Sequence, residues 1–528
     1  MTKNVRRTLA ALAVITATAA GCTDVTLVPE GRVTTGVIFK DASSYQAYLA
    51  KIYAGLAVSG QQGPAGNGDI NGIDEGFSQY IRLYWQMQEL PTDEAIIAWN
   101  DAGVQELNTQ IWGSSNQFLG AMYYRVLLQA TLANDFLNQT SDDKLSSRGV
   151  DAGLRTTIQG YRAEARFLRA LSYWHGMDLF GRIPLVTEAD FGSTTPPQQA
   201  TRQQLFDFIV TELNAIRPSL PTAGHGTYGR ADQGAVDMLL ANLYLNAEVY
   251  TGTPRYSEAR AAAEAVIASG AYTLDPKYRH LFQADNNTSP EMIFAVTQDG
   301  LHTQSYGGTT FLIHASVGGN MNAAQYGIDG GWWGLRVRKE VANLYPSTSG
   351  TPDRRAAVLV TDGQSLVIND VLNFQQGLGA PKYQNVTSTG QPGSNPGFAD
   401  TDYPVFRLGE AYLIYAEAVV RGGGGTRAQA LAYVNALRQR AYGDASGNLT
   451  DAQLTLPTLL DERARELLWE GHRRQDLIRF NQFTGATRLW EWKGGVQAGK
   501  ATDSFRNLYP LPASELIANP NLTQNPGY

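Results

Sequence analysis

The sequence predicts a mainly α protein: tetratricopeptide-like helix pairs forming a scaffold, with an irregular loop-rich region that contains short β segments. Three observations predict it. In Tyr161–Val186, YRAEARFLRALSYWHGMDLFGRIPLV, residues Ala163, Phe167, Ala170, Trp174 and Met177 recur at alternating four- and three-residue steps. Tyr161, Ala165, Leu168 and Leu179 form a second stripe beside the first, which describes a helix buried on two sides. Helical patterns also recur in pairs of about 34 residues, with small residues where helices would cross. From about residue 272 to 402 the helical period gives way to glycine and short β-type runs.

The chain opens with Lys3, Arg6 and Arg7, followed by an apolar run from Leu9 to Ala20. That run is too short for a bilayer core of ~30 Å and reads as an export signal. It ends in Ala19-Ala20-Gly21-Cys22, and Cys22 is the only cysteine in the chain. Small residues leading into a cysteine directly after an apolar run have the form of a lipobox, so residues 1–21 are expected to be removed and Cys22 to be lipidated. Cleavage leaves 528 − 21 = 507 residues and, with three positive charges gone, takes the formal charge from −7 to −10. No cysteine remains to pair, so stability must come from a core, for which 43% hydrophobic residues provide ample material. The acidic balance and the lack of a basic run argue against nucleic acid as a partner.

In chain order, Thr23 to Thr35 reads as a polar tether. Asp41 to Leu56 follows as an amphipathic helix with Tyr45, Tyr48, Leu49, Ile52 and Tyr53. Gly60 to Gly76 is loop. Its Asn67-x-Asp69-x-Asn71-Gly72 spacing approaches a calcium loop, but Asn67 replaces the first Asp and Ser78 stands where a bidentate Glu belongs, so no metal site is assigned. Phe77 to Trp112 mixes aromatics with amides and carboxylates. Tyr80, Tyr84 and Trp112 are expected in the core, and Trp99 with Asn100 and Asp101 on an exposed loop.

Helices are expected at 117–139, paired with 161–180; at 205–216 and 231–250, a second pair; and at 256–269. Glu164 lies on an apolar face and is expected in a structural ion pair, because an unpaired buried charge costs several kcal/mol. Met292 to Thr297 and Phe311 to Ile313 read as β-type runs. Tyr306, Tyr326, Asp329, Trp332, Trp333 and Arg336 sit in a cluster around GIDGGWWGLRVRKEVANLYP, before a helix near Lys339. Adjacent Trp332 and Trp333 cannot face the same way in any regular element, so one is expected in the core and the other as a surface platform. Helices resume at 406–420 and 426–442, with Gly422 to Gly425 as the turn between them, and a Glu/Arg-rich stretch from Asp461 runs into Gly471-His472-Arg473.

Four strings share a resemblance. AEARFLRA with the following Gly181-x-x-Pro184, Pro404-Val405-Phe406-Arg407 with Glu410 and Glu417, DERARELLWEGHRRQDLIRF from Asp461, and the terminal NPNLTQNPGY together resemble the SusD/RagB family of outer-membrane nutrient-binding lipoproteins. The resemblance spans the mature chain, and its motifs are scaffold motifs. It implies a SusD-like N-terminal part, 22–230, and a C-terminal part, 231–528, packed as one compact unit. It also implies a protein facing the exterior of the outer membrane that captures an oligosaccharide and passes it to a TonB-dependent transporter. A peptide-capturing member of the family is the alternative.

No cofactor or catalytic residue is needed for that role. Gly494 to Lys500 lacks the hydroxyl and the strand of a phosphate loop, and the six histidines show no ligand spacing. A surface glycoside hydrolase, a distant alternative, needs two carboxylates ~5–10 Å apart. The carboxylates that can be placed, Glu164, Glu417, Glu462 and Glu466, lie on helices among arginines. The expected ligand-binding residues are Trp99, Asn100 and Asp101 with Tyr326, Trp333 and Arg336. Flat rings beside planar hydrogen-bonding groups suit a sugar's C–H faces and hydroxyl rim.

Overall fold

The structure, a computed structural model, describes residues 39, 41–64, 66–190 and 192–528. Cys22 and the tether after it lie outside the described residues. The chain divides into two units, Met1–Gln46 and Ala47–Tyr528. In the first, the Phe39 and Tyr45 rings lie 5.1 Å apart at the start of α1 (Ala42–Ala57).

The scaffold is built from α2 (Tyr80–Glu89), α3 (Gln117–Gln139), α4 (Ala152–Phe180), α5 (Arg202–Ile216), α6 (Gln233–Leu245) and α7 (Tyr256–Ala268). A loop-rich region follows, and α9 (Leu408–Val420), α10 (Arg427–Tyr442), α11 (Leu456–Glu466) and α12 (Arg473–Arg479) complete the scaffold after it. Packing runs α3 on α4, α4 on α5, α6 on α7, α7 on α9 and α9 on α10, the stacked helix pairs that the sequence predicts. One pairing differs from expectation. α5 packs mainly on α4 and α6 mainly on α7, because Glu212 of α5 takes Arg166 and Arg169 of α4.

α4 carries the strongest stripe in the sequence, and both its stripes are buried. Phe167 and Trp174 each contribute roughly 1.5–3 kcal/mol by leaving water. Gly181 caps the helix at φ 75°, where a Cβ would lie 2.8 Å from Leu508. Glu164 accepts from Arg230 and from the Tyr53 hydroxyl at 2.7 Å, so it is the structural ion-pair residue expected.

Two short antiparallel ribbons join distant parts of the chain. β1 (Ile96–Ile97) pairs with β3 (Leu335–Arg336), and β2 (Met292–Val296) with β4 (Tyr403–Arg407). Phe311 to Ile313 is not β: it lies inside α8 (Gly308–Ser316), a helix buried on every side. A short run that is apolar all round has no period to separate the two states. Phe406 and Arg407 end β4, and the helix starts only at Leu408. The Glu/Arg-rich helix expected to run into Gly471 stops at Glu466, and a separate helix begins at Arg473; between them Trp469 and Gly471 take left-handed conformations. A Cβ on Gly471 would meet Tyr403 Oη at 2.8 Å and the Tyr84 ring at 3.0 Å, so that turn is sealed by tertiary contact. Among the described residues no helix is long and apolar enough to cross a membrane.

Candidate functional site

The β1–β3 pair brings two distant loops together, since Ile96 faces Arg336 and Ile97 faces Leu335. Beyond it Ala98 N–H donates to the Gly334 carbonyl at 2.9 Å. Trp99 and Trp332 therefore meet, and the Trp99 indole N–H donates to the Trp332 carbonyl at 2.8 Å. Trp99 can lie so close only because residue 334 is glycine: a Cβ there would stand 2.8 Å from the ring.

The result is a cleft of about 440 Å³ lined by Asp74, Phe77, Arg82, Trp99, Asp101, Tyr306 and Trp332. Its rings are inclined to one another. Trp99 and Trp332 lie 6.4 Å apart at 44°, and Tyr306 and Trp332 lie 6.1 Å apart at 60°. Trp332 is fixed from behind by stacking on His314 at 4.6 Å and 24°. His314 in turn bonds the Gly330 carbonyl through Nδ1 at 2.7 Å, and burial lowers its pKa, so the neutral ring is favoured.

Arg82 is the charged floor of this cleft. It projects from α2, donates to the Gly76 and Tyr306 carbonyls at 2.9 and 3.0 Å, and lies 4.4 Å from the Phe311 centroid and 4.6 Å from that of Phe77. Burial pulls its pKa down to about 9, with the negative charges of Asp101 and Asp74 opposing the fall. Its Nε is buried without a partner. The cleft thus offers apolar faces, one cationic donor and two carboxylate acceptors, a set that can bind a polyhydroxylated ring.

The expected site residues separate. Trp99 and Asp101 line the cleft, and Asn100 is exposed next to them. Trp333 is 51% exposed and packs on Phe374 at 5.8 Å, while Trp332 lines the cleft. Tyr326 is half-buried in the turn Ala323–Tyr326, away from the cleft lining. Arg336 corrects the expectation: its side chain is fully buried, and its guanidinium donates to the Asn373 and Val371 carbonyls at 2.9 and 2.8 Å, so it holds a loop and, unlike Arg82, does not line the cleft. Sequence reasoning missed Asp74, Phe77, Arg82, Tyr306 and Trp332 as site residues. Tyr306 and Trp332 stood in the aromatic clusters, but no period separates a cleft wall from a core ring. Among the described residues no three His, Cys, Asp or Glu side chains are grouped to hold a metal ion, and Asp69 of the calcium-like loop faces Lys51 at 3.5 Å and Arg125 at 3.4 Å.

The SusD family model matches residues 369–528. The chain is also 37% identical over 532 aligned residues to the starch-binding protein SusD of Bacteroides thetaiotaomicron, covering 92% of each protein. The chain belongs to the SusD/RagB family. SusD-like protein P2 of Formosa agariphila is 28% identical over 423 residues, 74% of this chain and 78% of that protein. Among solved structures, surface glycan-binding protein A of Bacteroides thetaiotaomicron, in complex with laminarihexaose, aligns with a TM-score of 0.69 at 21% identity over 92% of this chain and 99% of its own. A laminarin-binding SusD-like protein aligns equally well, at 0.69 and 21%, over 93% and 100%. These structures share the helical scaffold of the SusD superfamily. The family model covers scaffold and terminal residues of this SusD/RagB chain, and every residue lining the cleft lies before it.

Proposed function

We propose that this SusD/RagB protein binds starch-type α-glucan chains in the cleft between β1 and β3 and delivers them to a TonB-dependent outer-membrane transporter. The observation that carries the reading is the inclined set of Trp99, Tyr306 and Trp332 around Arg82, in a chain so similar along its length to a starch-binding protein. Inclined rings suit a bent α-linked glucan better than a flat ribbon. The rings take the C–H faces of successive sugars, while Arg82 donates to hydroxyls and Asp74, Asp101 and the neighbouring Asn100 accept from them.

Binding in a shallow cleft gives modest affinity, which permits release to a partner. In this reading the lipobox at Cys22 anchors the protein to the outer membrane, facing outward, and residues 22–230 and 231–528 act as one unit. Supporting the last point, Arg473 pairs with Asp93 at 2.7 Å and Arg474 with Asp178 at 2.8 Å. In this reading the protein binds a glycan and needs no catalytic group. Glu164, Glu417, Glu462 and Glu466 are all engaged by arginines, which leaves none of them as a free acid or base.

Tryptophan-fluorescence titration against malto-oligosaccharides, laminari-oligosaccharides and short peptides tests the reading. Saturable binding of malto-oligosaccharides that weakens in Trp99→Ala is expected. Binding of peptides alone would replace it with peptide capture, and release of reducing ends from starch by the purified protein would replace it with hydrolysis.

A further inference from the structure

Trp333 has a position that the cleft does not require. Three backbone hydrogen bonds tie residues 332–334 to the end of α8: Trp332 N–H to His314 at 2.7 Å, Trp333 N–H to Val317 at 3.1 Å and Gly334 N–H to Ala315 at 2.8 Å. The anchoring turns the two indoles to opposite sides, Trp332 onto His314 and into the cleft, Trp333 outward. Trp333 adopts φ 54°, a left-handed conformation that a bulky residue rarely takes. Its ring rests over Gly318, where a Cβ would come within 2.8 Å of both Trp333 and Phe374. Phe374 is buried beneath and tilted 49° to the indole.

A large ring that is half exposed, held rigidly, and kept in an unfavourable backbone conformation contributes little to the core. The exposed Gln375 side chain stands by Gly319, next to the glycine under the ring. A flat, exposed aromatic face with a side-chain amide close by is the chemistry of a sugar subsite.

We propose that Trp333, backed by Phe374, is a second stacking platform that takes the part of an α-glucan chain extending beyond the cleft. The inference rests on the α-glucan reading of the cleft. The two rings leave neighbouring α-carbons, about 3.8 Å apart, so a chain of several sugars that runs out of the cleft past residue 332 would meet Trp333 next, whereas a short one would not. The platform therefore selects for chain length: it adds nothing for a sugar short enough to sit in the cleft and strengthens the hold on a longer one.

Isothermal titration of the full chain in detergent, with maltotriose and with maltoheptaose, tests it. The substitution is Trp333→Asn, because asparagine tolerates the left-handed conformation. The expected result is unchanged maltotriose affinity and an affinity for maltoheptaose lower by about 2- to 10-fold, the range for one aromatic contact. Trp99→Ala should weaken both sugars. Equal maltoheptaose affinity in the Asn variant and the unsubstituted protein would overturn the platform, and so would an equal loss on both sugars, which marks damage to Trp332 next door. Failure of the unsubstituted protein to bind either sugar would overturn the α-glucan reading and this inference with it.

Discussion

Arg82 shows how one side chain can serve the fold and the site together. Its guanidinium closes the Gly76 and Tyr306 carbonyls, supports three aromatic rings, and still keeps Nε free beneath the cleft. Arg82→Ala should therefore weaken sugar binding and also lower stability by about 1–3 kcal/mol, since two acceptors lose their donor; urea unfolding beside a binding titration separates the two losses. Gly334→Ala is the sharper test of geometry. The added methyl would sit 2.8 Å from the Trp99 ring, so the ring must move although no binding group has been removed. We expect malto-oligosaccharide affinity to fall about 10-fold or more while far-ultraviolet circular dichroism stays unchanged. Unchanged affinity would mean that the position of Trp99 is not what the cleft depends on.

Among the elements, α11 and α12 are held by charge. Glu466 faces Arg355 at 3.1 Å, Arg407 at 2.8 Å and Arg440, and Glu462 faces Arg355, Arg438 and Arg465 at 2.6–2.8 Å. Glu417 of α9 reaches Arg479 of α12 at 2.7 Å. All three carboxylates are fully buried. Removing one partner of such a cluster leaves the others as buried uncompensated charge, which costs roughly 3–5 kcal/mol. Glu466→Gln should accordingly lower the melting temperature by several degrees, more than Glu258→Gln, whose Arg255 pair is exposed. At the same scale, Gly471→Ala should destabilise by about 1–3 kcal/mol, from a left-handed φ of 80° and contact with Tyr403 and Tyr84; thermal unfolding reads both variants.

For the molecule as a whole these clusters set the response to pH. Burial pushes Glu462 up, but Arg355, Arg465 and Arg438 more than offset it and hold it at about 2, against an ordinary 4.5. Asp476 is depressed further by Arg463 and Arg479 in spite of burial. A depressed carboxylate stabilises the fold above its unfolded value, and that contribution is lost as pH falls through the folded one. Stability should thus decline from about pH 4.5 down to about pH 2. His175 adds to the decline, because burial lowers it to about 3: the unfolded chain takes up its proton near 6.5, well before the folded protein does. The pair Glu89 and Glu94 acts in the other direction. Burial raises both, Glu94 to about 8 although Arg473 opposes the rise, and a raised carboxyl costs stability as pH climbs from 4.5 towards 8. Glu94→Gln should flatten the loss on the alkaline side in denaturation midpoints measured across this range; a steeper loss would show that the neutral carboxyl is not the folded form.

Much of this was written in the chain itself. The period of Ala163, Phe167, Ala170, Trp174 and Met177 specifies α4, and an acidic group on that apolar face demanded the partner it has in Arg230. Gly181 marked the end of α4, and the helix expected at 117–139 is the one observed, Gln117–Gln139. These are local consequences of spacing and conformational freedom. Phe311 to Ile313, the end of α11 as early as Glu466 and the burial of Arg336 were not legible, because each depends on what packs against it from elsewhere in the chain. The cleft belongs to the same class. Trp99 and Trp332 are more than two hundred positions apart, and only the β1–β3 register brings them together, while whether an aromatic faces a core or a ligand depends on which side of that ribbon is left uncovered. Sequence therefore determined the helical scaffold, through periods that each segment carries alone. Tertiary structure decided the site, through contacts that no single segment contains.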